Sequence, residues 1–273
     1  MSEYIARISY GKDSLKMLDV IVSRGLPLDR ITTSDVWATD SIPAELPPVV
    51  EFKARMDEVI WQKYRIEVEH LCARNKDGTK KTYEQMFYHI PQRKNKLIEF
   101  QGKIKGFPGI TGFNWCQKLK LIKDEGVSSR DSVEYIGIAA DEPKRFNQLS
   151  ERLRAPLAEF GIEEGLCGLY CQYGDVLSPT YEIGHRDGCW FCHKQSVEKL
   201  RILRRNYPAY WELMLKWDKD SPITFCADGH TVHDFDYRFK CEDDGLIPQD
   251  RRFRWDMLNN LQLRFEDWGT IND

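Results

Sequence analysis

Tyr4–Ser9 opens the chain as a short, partly β-branched run that reads as a buried strand, after which the apolar period changes. Over Lys12–Arg24, Leu15, Leu18, Ile21 and Val22 recur at helical spacing. Gly25 stops that helix and Pro27 lies just beyond it. Ile31–Thr39 reads as a second strand, ending in Trp37-Ala38-Thr39-Asp40 and a loop that holds Pro43, Pro47 and Pro48. Val49–Tyr64 has helical character, Ile66–Cys72 is a third strand candidate, and Val133–Ala139 is the clearest buried strand. Strands alternating with helices predict an α/β fold: a mostly parallel sheet flanked by crossover helices, Rossmann-like in outline. Such sheets bind ligands at the carboxyl ends of their strands, where segments 9–14, 37–43 and 140–145 fall. Residues 74–115, rich in Lys, Arg, Gly and aromatics, read as a long functional loop with short helices. From about residue 151 cysteines, aromatics and basic helices take over, notably Val197–Tyr207 and Pro208–Trp217. The expected division is an α/β domain over 1–150 and a helical, cysteine-containing region over 151–273 packed on it.

Composition narrows the class. The 273 residues are 41% hydrophobic and 30% charged, which suits a packed core rather than disorder. No apolar run is long enough to span a bilayer, so no membrane partner is expected. The opening MSEYIARISYGKDS does not read as a signal peptide, and a cytoplasmic setting is expected. There, eight cysteines argue for metal ligation, redox chemistry or buried thiols rather than a disulfide framework. A net charge of -3 means that nucleic acid would need a local basic patch. One candidate is Arg93, Lys94, Lys96, Lys103 and Lys105 interleaved with Tyr88, Phe100 and Phe107; another is Arg201, Arg204 and Arg205. The plainer reading is charged helix faces balanced by acids. Trp211, Trp217 and Trp255 read as core.

The chemistry concentrates in Ser9-Tyr10-Gly11-Lys12-Asp13-Ser14, between the first strand and the first helix. A helix N-terminus offers unpaired N–H groups and a positive dipole end, and so receives anions. Gly11 lets the backbone turn tightly, Lys12 adds a mobile charge, and Ser9 and Ser14 add hydroxyls. Asp13 is suited to capping the helix or holding Mg²⁺. Lys120 and Arg145 are candidates to neutralise phosphate charge. Asp141 could hold Mg²⁺, orient Arg145 or act as a base, and Asp40 could meet a ribose or a metal. An ordinary strand–turn–helix junction with solvated charges is the plain alternative. The spacing is not that of a Walker loop.

The loop resembles the SGGKDS signature of PP-loop ATP pyrophosphatases and phosphoadenosine-phosphosulfate (PAPS) reductases. Tyr10 stands where that signature has Gly, which narrows the loop or supplies a ring to stack on a base. Other pieces resemble the PAPS reductase-like branch in the same order: Trp115-Cys116-x-x-Leu119-Lys120, then Gly137-Ile138-Ala139-Ala140-Asp141-Glu142-Pro143-x-Arg145, then Cys171, then Gly188-Cys189-Trp190-Phe191-Cys192. The resemblance covers about residues 4–217. It implies an adenine nucleotide α-hydrolase-like fold with ATP and Mg²⁺ as ligands.

Cys189-x-x-Cys192 has the spacing at which two thiolates grip one ion. The resemblance supports Cys116 and Cys171 as the other two ligands, for Zn²⁺ or an iron–sulfur cluster. Cys167 is the nearest substitute, with His193 and His185 weaker ones; Cys72, Cys226 and Cys241 read as structural. The implied activity is cleavage of ATP to AMP and pyrophosphate, adenylating an acceptor that sulfur or nitrogen then attacks. A sulfonucleotide reductase is the alternative, but the Glu-Cys-Gly-[Ile/Leu]-His motif of those enzymes is missing from RFEDWGTIND, and Cys241 is a poor stand-in. A nucleotide-sensing module without turnover is the third reading. The acceptor, small molecule or nucleic acid, stays open, as does a homodimer.

Overall fold

The computed structural model describes residues 2–92, 100–109, 114–120, 131–183, 188–249 and 253–258. The chain forms two compact units, Met1–His89 with Asn114–Cys192, and Ile90–Phe113 with His193–Asp273. These units differ from a division at residue 150 in two ways. Residues 151–192 stay with the sheet, and 90–113 join the C-terminal helices.

The first unit is built on five strands: β1 (Tyr4–Ile8), β2 (Arg30–Asp35), β3 (Val68–Cys72), β4 (Val133–Ile136) and β5 (Leu153–Arg154). All pairings are parallel, in the order β3-β2-β1-β4-β5. Helices α1 (Lys12–Ser23) and α2 (Pro47–Tyr64) connect the first three strands. The short α3 (Tyr83–Tyr88), α4 (Pro143–Phe146) and α5 (Pro156–Glu159) precede α6 (Glu164–Tyr173) and α7 (Thr180–Ile183). A 3₁₀ turn runs over Trp115–Leu119. The core gathers Ala6, Ile8, Leu18 and Ile21 with Phe52, Met56 and Tyr135, and it includes Cys167 and Cys171. Chain order reverses on either side of β1, so the crevice between the ends of β1 and β4 is a topological switch point, the usual ligand position in such sheets.

The second unit is helical: α8 (Val197–Asn206), α9 (Pro208–Asp220) and α10 (Val232–Asp243). Ser196 caps α8 with its side chain, Pro208 begins α9, and Thr231 with Asp234 forms a capping box on α10. Trp211 and Trp217 are buried here, as expected of core residues. Phe107 is buried too, edge-on to Phe225 with ring centres 5.1 Å apart. No helix of the described residues is long and apolar enough to cross a membrane.

Candidate functional site

At the end of β1 the chain turns into α1 through Ser9, Tyr10 and Gly11. The left-handed residue is Tyr10, with φ 58°, whereas Gly11 is extended at φ −73° and ψ 160°. The tight turn assigned to Gly11 is thus made one residue earlier, by a bulky side chain in a region that glycine favours. Ser14 staples the turn: its hydroxyl donates to the Gly11 carbonyl at 2.9 Å and accepts from the Ser9 N–H at 3.2 Å. The first helical bond runs from the Leu15 N–H to the Gly11 carbonyl, at 3.1 Å. Among the described residues, the N–H groups of Asp13 and Ser14 have no hydrogen-bond partner. That leaves the positive end of α1 open to an anion.

These amides border a cavity of about 240 Å³ whose wall includes Ser9, Gly11, Asp13, Ser14, Gly137 and Arg145. Gly137 follows β4 where a Cβ would be tight, so that the facing backbones would have to part by a few tenths of an ångström to admit one. A Cβ would lie 3.0 Å from the Ser14 nitrogen and 3.1 Å from the Asp13 carbonyl carbon. Arg145, on α4, pairs with Glu142 at 2.7 Å, yet its side chain is 60% exposed, so it can swing to a phosphate. Burial pushes the Asp13 carboxyl above its ordinary value, against the pull of Lys12.

A second cavity, of about 340 Å³, shares Ser9 and extends past the end of β2 to Thr33, Ser34, Glu45, Lys53, Lys120 and Cys189. Lys120, singled out in the sequence, is therefore at the site. Lys53, Glu45 and the residues behind them escaped sequence reading. The Lys53 ammonium is nearly buried and pairs with Asp35 at 3.0 Å and Glu45 at 2.7 Å. Asp35 also meets His70 Nδ1 at 2.8 Å, and His70 Nε2 meets Asp57 at 3.0 Å. Asp57 accepts a hydrogen bond from the Tyr10 hydroxyl, which also lies 3.2 Å from His70 Nε2. Hydrogen bonds to Asp35 and Asp57 push the His70 pKa up to about 9 despite partial burial. Tyr10, 2% exposed, is thus held inside the protein, and its ring is not free to stack on a base.

Three other expectations change. Lys12 forms ion pairs with Glu164 on α6 and, at 3.4 Å, with Asp13. Burial works against its ammonium, but these partners outweigh it and raise its pKa. Asp141 does not orient Arg145; its carboxylate accepts the Glu164 N–H at 3.0 Å and caps the start of α6. Asp40 is exposed, takes a 3.4 Å bond from Gln85, and borders neither cavity.

The proposed four-cysteine set divides between two places. Cys171 Sγ lies 3.7 Å from the Lys12 carbonyl, in the core beneath α1, beside Cys167 one turn away. Burial raises their pKa values to about 11 and about 12 respectively. Cys116, Cys189 and Cys192 instead surround buried Tyr83, whose ring meets Trp115 at 4.9 Å and Phe191 at 4.1 Å. The Cys189–Cys192 turn docks through Trp190, whose indole N–H donates to the Pro43 carbonyl at 2.9 Å. Helix periodicity sends Cys171 to the α1 side, so it does not join them. No three His, Cys, Asp or Glu side chains among the described residues converge in a way that would hold a metal ion. The described thiols thus show no ready-made four-ligand set, and no step is derived through a metal.

The second basic stretch is neutralised. Arg201 pairs with Glu242 and Glu198, Arg204 with Asp236 and Asp243, and Arg205 with Asp243. The balanced-face reading applies to it. Arg93, Lys94 and Lys96 of the first stretch lie outside the described residues, as does His185. Comparison with protein-family models, with curated proteins and with solved structures returned no match.

Proposed function

We propose that the chain is an ATP-binding enzyme that cleaves ATP between its α- and β-phosphates and adenylates an acceptor. The observation that carries this reading is the pair of partnerless amides of Asp13 and Ser14, two residues that border a polar cavity at the β1/β4 switch point. The pyrophosphate end of the nucleotide fits there, with Arg145 able to reach it. The nucleoside end extends into the larger cavity, past Ser9 and toward Lys53 and Lys120. Mg²⁺ travelling with ATP supplies charge neutralisation on the phosphate oxygens, and Asp13 is the carboxylate on that wall to hold it. An acceptor oxygen forms a bond to the α-phosphorus as the bond to pyrophosphate breaks. Sulfur or nitrogen then displaces AMP. Amides, Lys120 and Arg145 stabilise the charge that builds on the phosphates.

The test is thermal stabilisation by ATP·Mg²⁺, PAPS and adenosine 3′,5′-bisphosphate at matched concentrations, with pyrophosphate release as the second readout. ATP·Mg²⁺ is expected to stabilise most. A larger shift with PAPS overturns the reading in favour of a sulfonucleotide reductase. Binding of ATP without pyrophosphate release under any acceptor supports a sensing module instead.

A further inference from the structure

The phosphate-receiving turn is held by a polar chain that uses four separate elements. Tyr10 sits in the left-handed region at φ 58°, a conformation that a bulky residue adopts only when its surroundings hold it. What holds it is its hydroxyl, donated to Asp57 on α2 and 3.2 Å from His70 Nε2 on β3. The two rings lie face to face, with centres 6.2 Å apart. His70 in turn bridges Asp57, at 3.0 Å, and Asp35 at the end of β2, at 2.8 Å. Behind Asp35 stands Lys53, and behind Lys53 stands Glu45.

We propose that His70 is a positioning residue for the phosphate loop: by bridging Asp35 and Asp57 it locks the Tyr10 hydroxyl, and through Tyr10 it keeps the amides of Asp13 and Ser14 at the border of the cavity. The consequence for nucleotide rests on the function proposed above, whereas the clasp itself does not.

The clasp needs the imidazolium. Only that form donates from both ring nitrogens at once, one to each carboxylate. The charged and titratable groups that face the ring are Asp35 from β2, Asp57 from α2 and Tyr10 from the loop, with Lys53 and Glu45 one contact further out. When the proton leaves, one ring nitrogen turns a lone pair toward a carboxylate. A neutral ring bonded to Asp35 through Nδ1 repels Asp57 and accepts the Tyr10 hydroxyl in its place, which draws Tyr10 off Asp57. His70 is about one third exposed, so solvent pH reaches it. Its folded pKa, about 9, lies above the unfolded value. The clasp is therefore intact at neutral pH and is lost as pH rises through about 9.

Hydrogen exchange of the nucleotide-free protein tests the clasp directly, read as the protection factor of the Ser9 N–H, the loop amide bonded to the Ser14 hydroxyl, with α2 as an internal control for global opening. In wild type, loop protection is expected to fall about tenfold between about pH 7 and about pH 10 while α2 holds. Tyr10→Phe and His70→Gln are expected to start about tenfold lower and to show no such transition. Wild-type protection that does not change with pH, or Tyr10→Phe loops as protected as wild type, overturns the proposal. Should the exchange result hold while ATP·Mg²⁺ binds at no pH, the clasp stands and the nucleotide reading fails. Should ATP·Mg²⁺ bind, its affinity is expected to follow loop protection, and an affinity independent of both pH and Tyr10 refutes the positioning role.

Discussion

Gly137 and Ser14 face each other so closely that a Cβ on Gly137 would stand 3.0 Å from the Ser14 amide nitrogen. Both are backbone neighbours fixed by adjoining elements, so neither gives way as a flexible side chain would. Gly137→Ala is expected to cover one of the two open amides. Nucleotide affinity should drop by about tenfold or more, with a smaller loss of thermal stability. Calorimetric titration with ATP·Mg²⁺, together with melting of the free protein, separates the two effects. Wild-type affinity in this variant would show that the Ser14 amide meets no phosphate.

Lys12 is held by Glu164, whose carboxylate competes with any phosphate for the same ammonium. Glu164→Gln removes the competitor and is expected to strengthen ATP·Mg²⁺ binding about threefold or more. The carboxylate is 55% exposed, so the melting temperature should barely move. Weaker binding in Glu164→Gln would mean that the pair orients Lys12 rather than restrains it.

Glu242 is a deeply set carboxylate of the helical unit, its side chain fully buried between Arg201 and Arg238, at 2.7 and 2.8 Å. Burial alone would raise its pKa, but the two guanidiniums outweigh it and hold it below the ordinary value. A depressed folded pKa contributes stability that is present above the unfolded value and lost as pH falls through the folded one. Glu242→Gln should cost about 3 kcal/mol near neutral pH, by leaving buried Arg238 without its carboxylate and Arg201 with Glu198 alone. Acid denaturation curves followed through the tryptophans of α9 would check this. A variant that unfolds at the wild-type midpoint would contradict it.

Cys167 and Cys171 combine full burial with pKa values raised to about 12 and about 11. Iodoacetamide at about pH 8 should leave both unmodified in the native protein and label them only after unfolding. Peptide mass mapping decides. Native-state labelling of Cys171 would place it outside the core beneath α1.

The sheet was legible because its strands and helices carry clean periods. Leu15, Leu18 and Ile21 face the core as their helical spacing predicts. Val133–Ala139 reads as one buried strand, and β4 occupies its first half; Gly137 leaves the ladder to pass the α1 backbone. Ser9, Gly11, Asp13 and Ser14, with Lys120 and Arg145, line the two cavities, and local chemistry marks them in the sequence. The chain from Tyr10 to Glu45 carries no such mark, since Asp35, Asp57 and His70 sit on different elements and only tertiary folding joins them. Asp141 misled for the opposite reason. A carboxylate just past a buried strand looks catalytic, and nothing local says that α6 begins within its reach. Cys171, which the resemblance offers as a ligand, lies instead beneath α1, because the face of α6 decides which neighbours its side chain meets.

β1 lies in the middle of the sheet, with Tyr4 paired to Val133 on β4. β1 therefore waits for nearly half of these 273 residues to follow before its second neighbour arrives. Until then the turn after it lacks the Gly137 wall, and the helix that pairs with Lys12 has yet to be made. Contacts so distant in sequence form late and slowly. A nascent chain stalled before β4 is expected to carry the loop without the walls that border it in the fold, which are complete only once β4 and α6 have been made.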